Sequence, residues 1–129
     1  TIRTAAAKCA LDIPQAFALG ILCNILVCAA VLMTFRAVHV TGKLAALYLP
    51  ILVFVLCGFE HSVANMYFIP AGLMAASDPG YAQAALASGV SFDSLTVMNG
   101  IKNLISVSLG NLAGGAGLVS CLYWYSYKR

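Results

Sequence analysis

A run of 33 residues, 44–76, dominates the sequence, and almost every side chain in it is apolar. A straight membrane-spanning helix needs about 20 apolar residues, so this run is too long for one span. Pro50, Gly58 and Pro70 interrupt its helical pattern. In transporters, hydrophobic segments broken by glycine or proline place unwound backbone near the middle of the bilayer. The run therefore predicts a discontinuous membrane helix that is broken around residues 57–60.

An ionisable pair, Glu60 and His61, lies inside this apolar run. Lys43 is the last charged residue before the pair and Asp78 is the first after it, so no sequence neighbour neutralises the pair. Ionisable groups at bilayer depth cost about 3 kcal/mol or more and generally mark functional sites. We expect His61 to face a solute, with Asn65 on the same helix face four residues later. We expect Glu60 to accept hydrogen bonds from backbone N–H groups at the break.

The composition places the chain in the membrane class. Hydrophobic residues make up 62% of the chain and charged residues 9%, and the mean hydropathy is +0.94. A soluble domain carries about 25% charged residues. Two further apolar runs, 14–35 and 95–124, are each long enough to span a bilayer. We therefore expect an all-α membrane protein with three transmembrane segments, the second one broken. The net charge of +3 is too small and too scattered to indicate a nucleic-acid partner.

The connections between these runs predict the orientation in the membrane. Residues 77–94 are typical of an external connection with one short helix. The charged residues divide between the two sides of the predicted spans, with Arg36, Lys43, Lys128 and Arg129 on one side and Asp78 and Asp93 on the other. The positive-inside rule then places the first connection and the C-terminus in the cytoplasm. This predicts a multi-pass protein of the cell's inner (plasma) membrane.

Small and amide residues inside the runs predict contacts between helices. Gly110, Gly114 and Gly117 thin one side of the last run, and we expect them to permit close helix packing. Asn24 and Asn111 also lie within apolar runs. Amides in such positions usually form interhelical hydrogen bonds worth about 1 kcal/mol.

Isolated residues of ligand type leave other roles open. Lys8 fits either a snorkelling lysine at the membrane interface or a charge in a vestibule. Cys57 and His61 share a helix face, but two ligands do not make a metal site, and the five cysteines lack paired zinc spacings. We therefore predict no metal and no cofactor. The alternative function is a haem-binding membrane anchor subunit of an oxidoreductase, although His39 lies in the basic connection and not at the depth of a second haem ligand.

Four separated motifs follow one another along the chain: GILCNILVC at 20–28, GFEHSVANM at 58–66, LTVMN at 95–99 and SLGNLAGG at 108–115. Their order and spacing resemble the formate/nitrite transporter family, whose signature is the glycine-phenylalanine-glutamate-histidine run. The resemblance covers the whole chain and implies the C-terminal half of a six-helix, aquaporin-like protomer. On this basis we expect the chain to be a fragment, partnered by the N-terminal half of the same protomer.

The resemblance also implies an activity. Family members are not enzymes; they are homopentamers in the lipid bilayer that pass small monovalent anions, namely formate, nitrite or hydrosulfide, through one pore per protomer. Two departures, Ser106 in place of a proline and a shorter segment at 101–103, point away from a plain formate channel. An imidazole titrates at about pH 6.5 in water, so a pore histidine can also protonate a weak-acid anion. Channel-like and proton-coupled transport therefore both remain open.

The resemblance assigns roles to individual positions. His61 matches the central pore histidine, Lys8 a lysine that draws anions inward, and Phe54 a pore constriction. Asn24 and Asn111 match polar positions near the pore. The predicted pore residues are His61, Lys8, Asn24, Asn111, Phe54 and Glu60.

Overall fold

Helices account for all of the regular secondary structure in the computed structural model, which describes residues 1–128; Arg129 lies outside the described residues. The elements are α1 (Ile2–Cys9), α2 (Ile13–Arg36), α3 (Val40–Leu56), α4 (Ser62–Ala76), α5 (Pro79–Ala87), α6 (Val97–Leu112), a π-helical segment (Ala113–Val119) and α7 (Ser120–Tyr127). The last three form one continuous helix. That helix and α2 are long and apolar enough to cross a membrane, whereas α3 and α4 are shorter apolar helices.

The second apolar run is divided into two helices, as the sequence predicts. α3 ends at Leu56 and α4 begins at Ser62, so the break covers residues 57–61. Gly58 has a φ of +67°, a left-handed conformation that favours glycine. Residue 61 is extended, with φ −115° and ψ 121°. Gly58 therefore reverses the local backbone and allows the chain to leave one helix and start another.

The prolines do not contribute to this break, and their predicted role as interruptions is wrong. Pro50 lies inside α3 and Pro70 lies inside α4, and both helices continue past them. A proline removes one backbone donor from the helix, and membrane helices accommodate this loss through neighbouring groups and local adjustments. Only the glycine requires a conformation that a helix cannot contain.

α2 packs closely against α6 and the π-helical segment, and the two helices run in the same direction. A Cβ atom added to Gly110 would overlap the Phe17 carbonyl, and one added to Gly114 would overlap the Ile21 carbonyl. Gly20 approaches the other side of the contact, because a Cβ there would lie 2.8 Å from the Val107 oxygen. These glycines let the two backbones touch.

Gly117 was expected to belong to the same contact, and this expectation is wrong. No atom of the described chain lies within 4 Å of the position that a Cβ of Gly117 would occupy. The π-helical segment is wider than an α-helix, with hydrogen bonds between residues five apart. Beyond Gly114 the glycines therefore no longer follow the α-helical spacing that places them against α2.

One small buried apolar cluster lies where α1 packs on α4 and on the segment just before α6. It consists of Ile2, Ala5, Ala6, Cys9, Ile69 and Leu95. Large apolar side chains along α3 and α7 are exposed, among them Leu49, Val55 and Leu122. An apolar exterior of this kind suits lipid or a further protein surface better than water.

Replacing Gly110 with alanine should lower the free energy of unfolding of the complete protein by about 1–3 kcal/mol, because the new methyl group forces α2 and α6 apart. Thermal unfolding in detergent measures this change. Gly117→Ala is the matched control, since the same methyl group there lies within 4 Å of no atom of residues 1–128. Equal stability of the two variants would show that the backbones are not in contact at Gly110.

Candidate functional site

Two cavities meet at the broken helix. Cavity 1 has a volume of about 430 Å³ and lies between α1, the start of α2 and the break, where Lys8, Leu19 and Glu60 line it. Cavity 2 has a volume of about 270 Å³ and lies farther along α2, where Val27 and Leu47 line it. The two cavities therefore follow one another along the length of α2.

Phe54 and His61 line both cavities. Their ring centroids are 6.3 Å apart and the ring planes are tilted by 33°. Phe54 comes from the last turn of α3, whereas His61 directly precedes α4, so the break brings the two rings together. A solute that moves from one cavity to the other along this wall passes both rings.

The ring nitrogens of His61 make no hydrogen bond within residues 1–128. This sets His61 apart from the residues on either side of it, because the side chains of Glu60 and Ser62 both make hydrogen bonds. The residue is partly exposed to the cavities. An imidazole in this state has both nitrogens available to a solute, either to donate or to accept a hydrogen bond.

The carboxylate of Glu60 is buried, with only 4% of the residue exposed. Its two oxygens accept hydrogen bonds from Lys8 Nζ at 2.8 Å and from Asn65 Nδ2 at 2.6 Å. We expected backbone N–H groups to donate to Glu60, and this expectation is wrong. The ammonium group of Lys8 and the side-chain amide of Asn65 are the donors. The physical reason is that a buried carboxylate needs a countercharge, which backbone amides do not supply.

Lys8 is fixed by the same contacts. Its ammonium group bonds Glu60, and its backbone carbonyl accepts a hydrogen bond from Asn103 Nδ2 at 2.8 Å. Asn103 also accepts from Asn65 Nδ2 at 2.8 Å, which closes a buried network between α1, α4 and α6. Lys8 therefore does not snorkel towards an interface; it is held as the partner of Glu60 on the wall of cavity 1.

Asn65 was expected on the face of His61, and this is wrong. The carbonyl of His61 accepts from the N–H of Asn65 at 3.0 Å, but His61 itself is extended, so its side chain does not follow the helical spacing of α4. Asn65 instead faces Glu60 and Asn103.

Asn111 and Asn24 line neither cavity 1 nor cavity 2. Asn111 Oδ1 accepts from the N–H and the hydroxyl of Ser62, both at 3.0 Å. Its Nδ2 donates to the carbonyls of Gly20 at 2.9 Å and of Glu60 at 3.0 Å. Asn24 Nδ2 donates to the backbone carbonyl of Asn111 at 2.6 Å. Both amides join helices around the break.

Sequence reasoning missed Asn103 and Ser62, which hold Lys8 and Asn111 in place. The available signal was the amide of Asn103 inside the predicted span 95–124, the same kind of signal that identified Asn24 and Asn111. Within residues 1–128, His, Cys, Asp and Glu side chains form no cluster of three or more that could hold a metal ion.

Comparison with known proteins gives consistent results. The sequence profile described as "Formate/nitrite transporter" matches residues 1–125. A probable formate transporter of Methanothermobacter thermautotrophicus is 44% identical over 115 residues, which cover 89% of this chain and 36% of that protein. The formate channel FocA of Escherichia coli K12 is 42% identical over 118 residues, which cover 89% of this chain and 41% of that protein.

Solved structures share the fold. A pentameric formate channel with formate bound superimposes with a TM-score of 0.84 at 39% identity, covering 99% of this chain and 51% of that one. An FNT family ion channel gives a TM-score of 0.77 at 33% identity, covering 95% and 43% of the two chains. This chain spans between a third and about half of the length of these four proteins. The chain belongs to the formate/nitrite transporter family and forms part of its protomer.

Proposed function

We propose that the complete protein conducts small monovalent anions, such as formate, nitrite or hydrosulfide, across a membrane along the wall that carries Phe54 and His61. One observation carries the proposal: the His61 ring lies between two successive cavities and has no hydrogen-bond partner within residues 1–128. Family membership and the likeness to a formate channel with formate bound support it. They also favour transport over the haem-binding anchor.

Desolvation is the main obstacle for an anion on this route. An isolated ion that leaves water for an apolar cavity loses hydration worth tens of kcal/mol, on the order of the Born estimate, unless the protein replaces it. His61 can donate a hydrogen bond, and the positive end of the α4 dipole lies directly beside it. Lys8 contributes less at long range than its charge alone suggests, because Glu60 balances it at 2.8 Å.

Proton transfer offers a second way to lower this cost. In this proposal a protonated His61 gives its ring N–H proton to a weak-acid anion in one cavity, and the neutral acid crosses to the other cavity. There the acid releases its proton to water, and the neutral imidazole regains a proton from water in the first cavity, on the side from which the anion came. The net result is transfer of one anion with one proton.

The rest of the protomer is proposed to supply the opposite wall, and the protomers to assemble as homopentamers in the lipid bilayer. The similarity to a pentameric formate channel supports this assembly. We further propose that the C-terminus is cytoplasmic and the membrane is the cell's inner membrane. Arg36, at the end of α2, bonds the hydroxyl of Tyr127, at the end of α7, so the basic ends of these helices lie on one side.

The direct test is flux of formate, nitrite and hydrosulfide into proteoliposomes that contain the complete protein. Measurable flux of at least one anion, with no Soret band in the visible spectrum of the purified protein, is the expected result. A Soret band without flux would establish the haem-binding alternative. An absence of both would overturn the proposed transport function.

Replacing Phe54 with alanine should increase flux of the larger anion acetate relative to formate by roughly tenfold, because the ring narrows the passage between the cavities. Paired flux assays on the same liposomes measure the ratio. Phe59→Ala is the matched control, because Phe59 lines cavity 1 but does not line cavity 2. An unchanged acetate-to-formate ratio in Phe54→Ala would remove Phe54 as the constriction.

A further inference from the structure

The π-helical segment Ala113–Val119 begins two residues after Asn111 and is packed against Asn24. In an α-helix the carbonyl of Asn111 accepts from the amide of the residue four positions later, which is Gly115. Here that carbonyl accepts a hydrogen bond from Asn24 Nδ2 at 2.6 Å. A Cβ on Gly115 would overlap the Asn24 amide nitrogen. Asn24 therefore reaches into the helix where Gly115 leaves room, and side-chain insertion of this kind accompanies a locally altered helix ladder.

Asn111, whose backbone carbonyl accepts from Asn24, is also the residue that stabilises the backbone at the break. The Asn111 amide makes four hydrogen bonds, the full capacity of its oxygen and nitrogen. Two of its partners, the Glu60 carbonyl and the Ser62 N–H, flank His61 on either side. A single side chain thus fixes both peptide groups next to the histidine.

We infer that Asn24 is a positioning residue for His61 and acts through Asn111. Asn24 fixes the main chain of Asn111 at the widened turn, and the side chain of Asn111 fixes the backbone on both sides of His61. Asn24 itself lines neither cavity 1 nor cavity 2, so it does not meet the solute there. The inference rests on the proposed role of His61 as the solute-facing group. A merely structural amide would stabilise the helices and leave the ring of His61 unchanged.

The state of the His61 ring provides the readout. The complete protein is labelled with ¹⁵N-histidine, and its ring signals are followed through a pH series in lipid, with the His61 signals assigned by their loss in His61→Ala. Cavity 1 presents Lys8 and Glu60 to the ring, and cavity 2 presents no titratable group besides His61 among the described residues. We expect Asn24→Ala to move the pH range over which the His61 ring signals change, relative to the parent protein. The pH profile of anion flux should move in the same direction.

Gly115→Ala breaks the hydrogen bond between Asn24 and the Asn111 carbonyl in a second, independent way. Its methyl group would push Asn24 off the Asn111 carbonyl while every polar side chain remains, so it also serves if Asn24→Ala fails to fold. We expect it to reproduce the shifted His61 signals. In the double variant Asn24→Ala/Gly115→Ala the amide that clashes is gone, so the second substitution should add little to the first.

Gly117→Ala is the matched control in the same π-helical segment, because no atom of the described chain lies within 4 Å of the added methyl group. Its His61 signals should equal those of the parent. Parental His61 signals in both Asn24→Ala and Gly115→Ala would overturn the inference, as would equal shifts in Gly117→Ala. Failure of the proposed function gives a different result from failure of this inference. If the proposed function is wrong, His61→Ala keeps the parental flux profile. Shifted ring signals in Asn24→Ala would still establish the positioning role.

Discussion

Replacing His61 with alanine in the complete protein should slow anion flux by roughly 10- to 150-fold, the effect of losing one hydrogen bond to a charged group. The ring lines both cavities and has no hydrogen-bond partner within residues 1–128. Phe54 and Ala64, which also line both cavities, are apolar and cannot replace it. The residual flux should also lose the part of its pH dependence that proton transfer from His61 supplies, because the imidazole is gone.

Proteoliposome flux of formate, nitrite and hydrosulfide across a pH series measures both effects. His39→Ala is the matched control, because His39 precedes α3 in the basic connection and lines neither cavity 1 nor cavity 2. It should keep the parental rate and pH profile. If His61→Ala carried all three anions at parental rates with parental pH dependence, the central-histidine mechanism would be wrong.

Replacing Lys8 with alanine should lower the free energy of unfolding by about 3–5 kcal/mol, the usual cost of removing one partner of a buried ion pair. The side chains of Lys8 and Glu60 are 14% and 5% exposed and their charged atoms are 2.8 Å apart. Once Lys8 is absent, the Glu60 carboxylate keeps only the amide of Asn65 and has no countercharge. That carboxylate also borders cavity 1, so anion influx should fall as well.

Thermal unfolding of the complete protein in detergent measures the loss of stability. Lys102→Ala is the control for removal of an exposed lysine. The double variant Lys8→Met/Glu60→Gln should recover most of the loss, because neither charge then remains buried. Equal stability of Lys8→Ala and Lys102→Ala would mean that water reaches Glu60 and replaces its partner.

Local chemistry explains what the sequence predicted well. A long apolar run with a glycine near its centre specifies two helices and a break, because only glycine adopts the left-handed conformation of Gly58 without strain. The same run identified His61 as unusual, because an ionisable group at bilayer depth needs a reason to be there. The prediction that the prolines interrupt the helices was wrong. Proline breaks helices strongly in water but is tolerated in membrane helices, so Pro50 and Pro70 remain inside α3 and α4.

Partners distant in sequence could not be predicted. Glu60 lacks a neutralising neighbour along the chain, yet Lys8, 52 positions away, lies 2.8 Å from it. An amide such as Asn111 has two donors and two acceptor sites, and nothing in its sequence context says which backbone groups they will meet. The first residue of α4 could not be predicted either. Because α4 begins at Ser62, the side chain of Asn65 does not point to the same side as that of His61.

By itself the sequence determined the helical class, the break and the candidate His61, since these follow from hydrophobic pattern, glycine conformation and the cost of a charge in lipid. The tertiary structure alone decided how the charge of Glu60 is balanced, how Asn24 and Asn111 hold the break, and that Phe54 and His61 border both cavities. These contacts depend on helix packing, in which Gly110 and Gly114 bring whole helices into register, and no local pattern encodes a distance between residues far apart in the chain.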